Sequence, residues 1–130
     1  MRTFIHVKII APNEFDFKNE AMNWVKINFP EVCLYDFDNN SGAEMFQYAN
    51  QLLNTATEKI ILIEKNSEAP ATGVAMWVEK ILKQDSDAQF FILGEDKFLN
   101  ILSIKKPKQV LLVKHEAEWK EEMVKLWNYK

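Results

Sequence analysis

Five short apolar stretches alternate along the chain with five amphipathic ones. Strands are predicted over residues 3–10, 32–37, 59–63, 89–93 and 109–113. The last three carry unbroken apolar runs: Ile60-Ile61-Leu62-Ile63, Phe90-Phe91-Ile92-Leu93 and Val110-Leu111-Leu112-Val113. Such runs suit strands covered by helices on both faces, as in a parallel sheet. The first strand breaks the pattern. Ile5, Val7 and Ile9 fall on one face, His6 and Lys8 on the other. A fully buried central strand should not carry those two polar residues.

The intervening segments carry apolar residues at helical spacing. The first helix is expected to start after Pro12, with Asn13 as N-cap. It would bury Phe17, Ala21, Trp24, Val25 and Phe29 and turn Asp16, Asn19, Glu20 and Asn23 to solvent. The second has the strongest start signal. Ser41-Gly42-Ala43-Glu44 fits the capping box S-x-x-E, in which hydroxyl and carboxylate satisfy two helix-terminal amides. Its stripe is Met45, Ala49, Leu52, Leu53 and Ala56. The third follows Pro70, a residue suited to a first helical position, and would bury Val74, Trp77, Val78, Ile81 and Leu82. A short fourth helix is predicted over 97–102. The fifth starts near His115, with Glu116 and Glu118 placed to suit the helix dipole, and would bury Trp119, Met123, Leu126 and Trp127. Five βα units in 130 residues predict one domain over 1–130. The architecture is a three-layer α/β/α sandwich with a five-stranded parallel sheet and right-handed crossovers. The compact solution is the flavodoxin-like order 2-1-3-4-5.

Composition removes several chemistries. Gly42, Gly73 and Gly94 lie too far apart for a glycine-rich phosphate loop. One cysteine, Cys33, and two histidines, His6 and His115, exclude a thiolate zinc site and an H-E-x-x-H site, so no metal and no cofactor are expected. The net charge of −3 argues against nucleic acid, which demands a basic surface. The one basic cluster, Lys105, Lys106 and Lys108 around Pro107, reads as a solvated loop or a phosphate patch. The opening Met1-Arg2-Thr3-Phe4-Ile5-His6 has no secretory apolar region, and the runs of about four apolar residues are far short of a bilayer span. The chain is therefore expected to be cytoplasmic.

Ligands in such sheets sit outside the carboxyl ends of the strands, at the switch point. Here that lies between the first and third strands. Candidate ligand-binding residues are Asn13, Glu14, Asp36, Asp38 and Glu64, with Lys114 further along the edge. Each has a plainer reading. Asn13 suits a helix cap. Asp36 and Asp38 offer oxygens at i and i+2 for a hard cation, or line a solvated loop. Glu64 ends an apolar strand, where burial would raise its pKa; in water it would pair with Lys65. His6 fits a strand histidine with one nitrogen satisfied, His115 a cap or surface residue, and Cys33 a buried apolar side chain.

The stretch from Asp36 to Asn66 resembles the matching part of Toll/interleukin-1 receptor-type (TIR) domains and of nucleoside 2-deoxyribosyltransferase-like domains. It pairs the acidic loop Asp36-Phe37-Asp38-Asn39-Asn40-Ser41-Gly42 with an amphipathic helix from Ala43 to Thr57 and the apolar strand Lys59 to Ile63. Ala71-Thr72-Gly73 is similar to the small-residue helix start of the transferases. The resemblance implies cleavage of an N-glycosidic bond by a glutamate early in the third helix. Met76 and Trp77 stand at that place, and the nearest acid, Glu79, lies ~140° from the apolar stripe and should face solvent. The five-unit layout also resembles receiver domains. Glu64 stands where that family has its phosphorylated aspartate and Lys114 where it has a lysine, but Ala11-Pro12 replace the acidic pair that would hold magnesium.

The resulting expectation is a signalling or interaction module without catalytic activity that self-associates as a homodimer. Phe15 and Ile27 fall off the stripe of the first helix and Tyr129 off that of the last, so those helices are the expected contact. The alternative is an enzyme acting on a nucleotide or nucleoside at the carboxyl edge, through Glu64, Asn13 and Asp36. A concave polar pocket there would favour the enzyme, and a filled edge the module.

Overall fold

The structure, a computed structural model, describes residues 1–12 and 19–128. Strands β1 (Arg2–Ile9), β2 (Cys33–Asp38), β3 (Glu58–Lys65), β4 (Gln89–Leu93) and β5 (Val110–Val113) alternate with helices α1 (Glu20–Asn28), α2 (Ala43–Thr55), α3 (Thr72–Gln84), α4 (Lys97–Lys105) and α5 (Glu116–Asn128). All five strands pair in parallel, in the order β2-β1-β3-β4-β5. This is the flavodoxin-like α/β arrangement that apolar strands separated by amphipathic helices predict.

Two apolar layers flank the sheet. Ile5, Val7, Ile9, Ile61, Ile63, Phe90 and Ile92 pack with residues of α2, α3 and α4. Phe4, Ile60, Leu62, Phe91 and Val113 pack with α1 and α5. On that second side Trp119 stacks on Phe4 with centroids 6.0 Å apart and meets Trp24 edge to face at 5.5 Å. Strands β1 and β3 supply both layers, so the middle of the sheet joins the two cores.

Helix starts depart from the sequence pattern. Helix α1 begins at Glu20, because Asn19, at φ −116° and ψ 28°, is outside it and makes no side-chain cap. Asn13, Phe15, Asp16, Phe17 and Tyr129 lie outside the described residues. The N-cap of α2 is Gly42, not Ser41, which moves Glu44 to the second helical position and dissolves the capping box. Ser41 instead closes the turn after β2. Its Oγ accepts from the Asp38 amide at 3.2 Å and donates to Asp38 Oδ1 at 3.3 Å. A side-chain cap does form on α4, where Asp96 Oδ2 accepts from the amides of Phe98 and Leu99 at 3.0 Å each. That cap supports a helix running past Leu102 to Lys105.

Several burial expectations also fail: Met45 on the α2 stripe and Leu112 in the apolar run of β5 are exposed. Leu126 is exposed, being ~60° around α5 from Met123 at the centre of its buried face. Cys33 is half-buried, since β2 is an edge strand.

Candidate functional site

The carboxyl ends of β1 and β3 form the switch point of this strand order. In register, Lys8 lies between Asp38 on β2 and Glu64 on β3, and His6 lies between Asp36 and Leu62. Side chains alternate along strands, so all of these belong to the face that carries Phe4 and Leu62 and packs on α1 and α5. The strand that breaks the apolar pattern is thus the central one of the polar set. His6 and Lys8 are only 2% and 5% exposed.

One contact makes the burial of His6 tolerable. His6 Nε2 lies 3.0 Å from Glu64 Oε1. The Asn66 side-chain amide donates to the other oxygen, Glu64 Oε2, at 2.9 Å. Glu64 therefore does not take Lys65 as partner, and its pKa moves opposite to expectation. The hydrogen bond from His6 pulls the carboxyl below its ordinary value; burial opposes this, and Asn66 with the charges of His6 and Lys8 adds to the lowering. The second imidazole nitrogen of His6, Nδ1, is buried and has no hydrogen-bond partner.

The opposite face of the same edge is closed by another pair. Lys65 Nζ binds Asp96 Oδ1 at 2.9 Å, with both side chains largely buried. Burial pushes the Asp96 carboxyl up, but Lys65 and the amides of Leu99 and Phe98 outweigh it and hold it low. Above β2, Asn39 Oδ1 accepts from the Ile10 amide at 2.7 Å, and the Asn40 side chain donates to the Ala11 carbonyl at 3.0 Å. Asp38 Oδ1 accepts from the Asn40 amide at 2.8 Å.

Of the sequence candidates, Asp36, Asp38 and Glu64 gather around β1. Asp36 is an exposed residue of β2 and Asp38 ends that strand, so neither belongs to an isolated loop. Lys114 follows β5, two strand spacings or roughly 10 Å from β3. It is exposed, and its amide donates to Glu118 Oε1 at 3.1 Å. Asn13 and Glu14 lie outside the described residues. Among the described residues no group of three or more His, Cys, Asp or Glu side chains is placed to hold a metal ion. Lys105, Lys106 and Lys108 are exposed at the amino end of the sheet, away from the switch point. Glu79 is exposed on α3, with Oε1 3.8 Å from Lys83 Nζ.

His6, Lys8 and the Lys65–Asp96 pair belong to this edge without standing among the sequence candidates. The signal for the first two was the polar pair inside β1. Chemically, a carboxylate that orients an imidazole is half of a general-base arrangement. The other half, an imidazole nitrogen open to substrate, is missing, because Nδ1 is enclosed. No helix among the described residues is long and apolar enough to cross a membrane. Compared with known proteins, the chain matches no family model and no curated sequence.

Proposed function

We propose that this domain acts by binding, as a cytoplasmic signalling or interaction module without catalytic activity. The observation that carries the reading is how the polar groups at the switch point are engaged. Glu64 is held by His6 and Asn66, Asp96 by Lys65, and Asn39 and Asn40 by the backbone after β1. Groups satisfied by one another are poorly placed to meet a ligand, since each exchange would leave a partner unpaired. The exposed position of Glu79 on α3 adds to this: the acid nearest the catalytic place of the transferase-like domains lies in solvent, against Lys83. The resemblance of Asp36–Asn66 to TIR-type domains is in keeping with a signalling role.

A second reading keeps a specific support. The buried His6–Glu64 pair lies beneath the switch point, where a nucleotide- or nucleoside-processing enzyme would hold its substrate. One experiment separates the two. Purified protein is incubated with NAD and with nucleosides, and product is followed against a heat-killed control. In parallel, a thermal-shift screen covers nucleotides and sugar phosphates, where ligand at ~100 times its dissociation constant stabilises by ~2.7 kcal/mol. The module reading expects no turnover and no shift. Turnover abolished by Glu64→Gln or Glu79→Gln would replace it with the enzyme.

A further inference from the structure

Helix α4 has two apolar sides. Leu99 and Leu102 are buried in the core. Ile101 and Ile104 stand three residues apart, which makes them neighbours on one helix face, and they are 42% and 78% exposed. A helix that is apolar all round is ordinarily buried, yet the outer side of α4 lies open to water. The charges on this helix are of one sign. Lys97 and Lys105 each stand four residues from Ile101, and Lys106 and Lys108 follow the helix end. Helix α4 itself contains no Asp or Glu. All four lysines are exposed, and none has an ion-pair partner among the described residues.

We propose that the outer side of α4 docks on an anionic lipid surface. An interfacial helix sets aliphatic side chains at the boundary of the acyl chains, while the stems of its lysines let the ammonium groups reach the headgroups. Ile101 and Ile104 supply the first part, and the four lysines supply the second. A soluble polyanion would engage the lysines and leave both isoleucines in water. A second copy of the chain would set lysine against lysine. Helix α3, which packs on α4, adds exposed Lys80 and Lys83. Its one acid, Glu79, lies 3.8 Å from Lys83. This side is therefore cationic in a chain whose net charge is −3.

The other exposed apolar residues lack this setting. Val124 and Leu126 of α5 share their helix with Glu116, Glu118, Glu121 and Glu122, which anionic headgroups would repel. Ile27 of α1 is exposed, but Lys26 is the only lysine of that helix. His6, Glu64 and the other switch-point groups take no part. The docking therefore holds whether the domain is a module or an enzyme.

Cosedimentation of the whole chain with lipid vesicles tests this. At low ionic strength the protein should sediment with phosphatidylcholine vesicles in which about a third of the lipid is phosphatidylserine. It should stay in solution with phosphatidylcholine alone. Binding should fall as salt is raised, because exposed charges are screened. Lys105→Gln with Lys106→Gln should weaken partitioning roughly 25-fold, at about fivefold per lysine. Ile104→Gln should weaken it about fivefold. Ile27→Gln, on α1, should leave it unchanged. Every substituted position is exposed, and circular dichroism shows that each variant is folded. Failure to sediment with the anionic vesicles overturns the proposal. So does equal binding to phosphatidylcholine alone, or binding that Ile104→Gln or the double lysine variant leaves intact. Binding of a single-stranded RNA in place of the vesicles would make the lysines a polyanion site and overturn it as well.

Discussion

Glu64 keeps its charge in a place largely out of water because His6 holds it there. Its folded pKa is depressed below the ordinary 4.5. A depressed acid stabilises the fold above its unfolded pKa, and that contribution is lost as pH falls through the folded value. Stability should therefore decline below about pH 5, and Glu64→Gln should flatten that decline. Urea midpoints taken between about pH 7 and pH 3 check this; identical acid limbs in parent and variant would place the sensitivity elsewhere. A second expectation concerns the pair as a unit. His6→Leu removes the partnerless Nδ1 but strips Glu64 of its main partner, and should cost about 1–2 kcal/mol at neutral pH. His6→Leu with Glu64→Leu should recover most of that, because an apolar pair replaces a buried polar one at little net cost. Denaturation of the two single variants and the double variant completes the cycle. At this scale the sequence shows the conflict but not its solution. Alternation along β1 exposes the clash of His6 and Lys8 with Ile5, Val7 and Ile9. The remedy is 58 residues away and depends on the register of a neighbouring strand, which alternation does not encode.

Among the elements, the joins between strands and helices carry the specific chemistry. Gly94, at φ 113°, links β4 to α4, and a Cβ there would come within 2.5 Å of the Lys65 carbonyl oxygen. Gly94→Ala should cost at least about 2 kcal/mol through strain and collision. Asp96 follows, capping α4 and neutralising Lys65 together, so Asp96→Ala should cost about 1–3 kcal/mol. Ser41→Ala loses only turn contacts to Asp38 and should cost less than either, below about 1 kcal/mol. Urea denaturation of the three variants checks the order; a Ser41→Ala cost equal to that of Asp96→Ala would return Ser41 to a capping role. Helix faces were readable: Val74, Trp77, Val78, Ile81 and Leu82 of α3 are all buried, as their spacing requires. Caps were less so. Ser41 is one residue early, since Asp38 engages its hydroxyl and Gly42 stands at the N-cap instead. The cap at Asp96 precedes a helix whose short apolar pattern conceals its length.

For the molecule as a whole, the sheet makes the two cores dependent on each other. Ile61 and Ile63 of β3 face α2, α3 and α4, while Ile60 and Leu62 of the same strand face α1 and α5. Losing either helix layer exposes one side of β1 and β3 to water, so neither core should survive alone. The tryptophans allow a test. Trp24, Trp119 and Trp127 pack on the α1–α5 side, and Trp77 on the other, between Phe37 and Phe46. Trp77→Phe leaves fluorescence that reports the α1–α5 side only. It also removes the hydrogen bond from Trp77 Nε1 to Asn50 Oδ1, 2.7 Å long, and should cost about 1–2 kcal/mol. In that variant, urea unfolding followed by fluorescence should coincide with unfolding followed by far-ultraviolet circular dichroism, which sees every helix. The slope should match the parent's, because the surface exposed on unfolding is unchanged. Fluorescence that changes well before the helical signal would show the α1–α5 layer peeling from a sheet that stays folded, and the cores would then be independent.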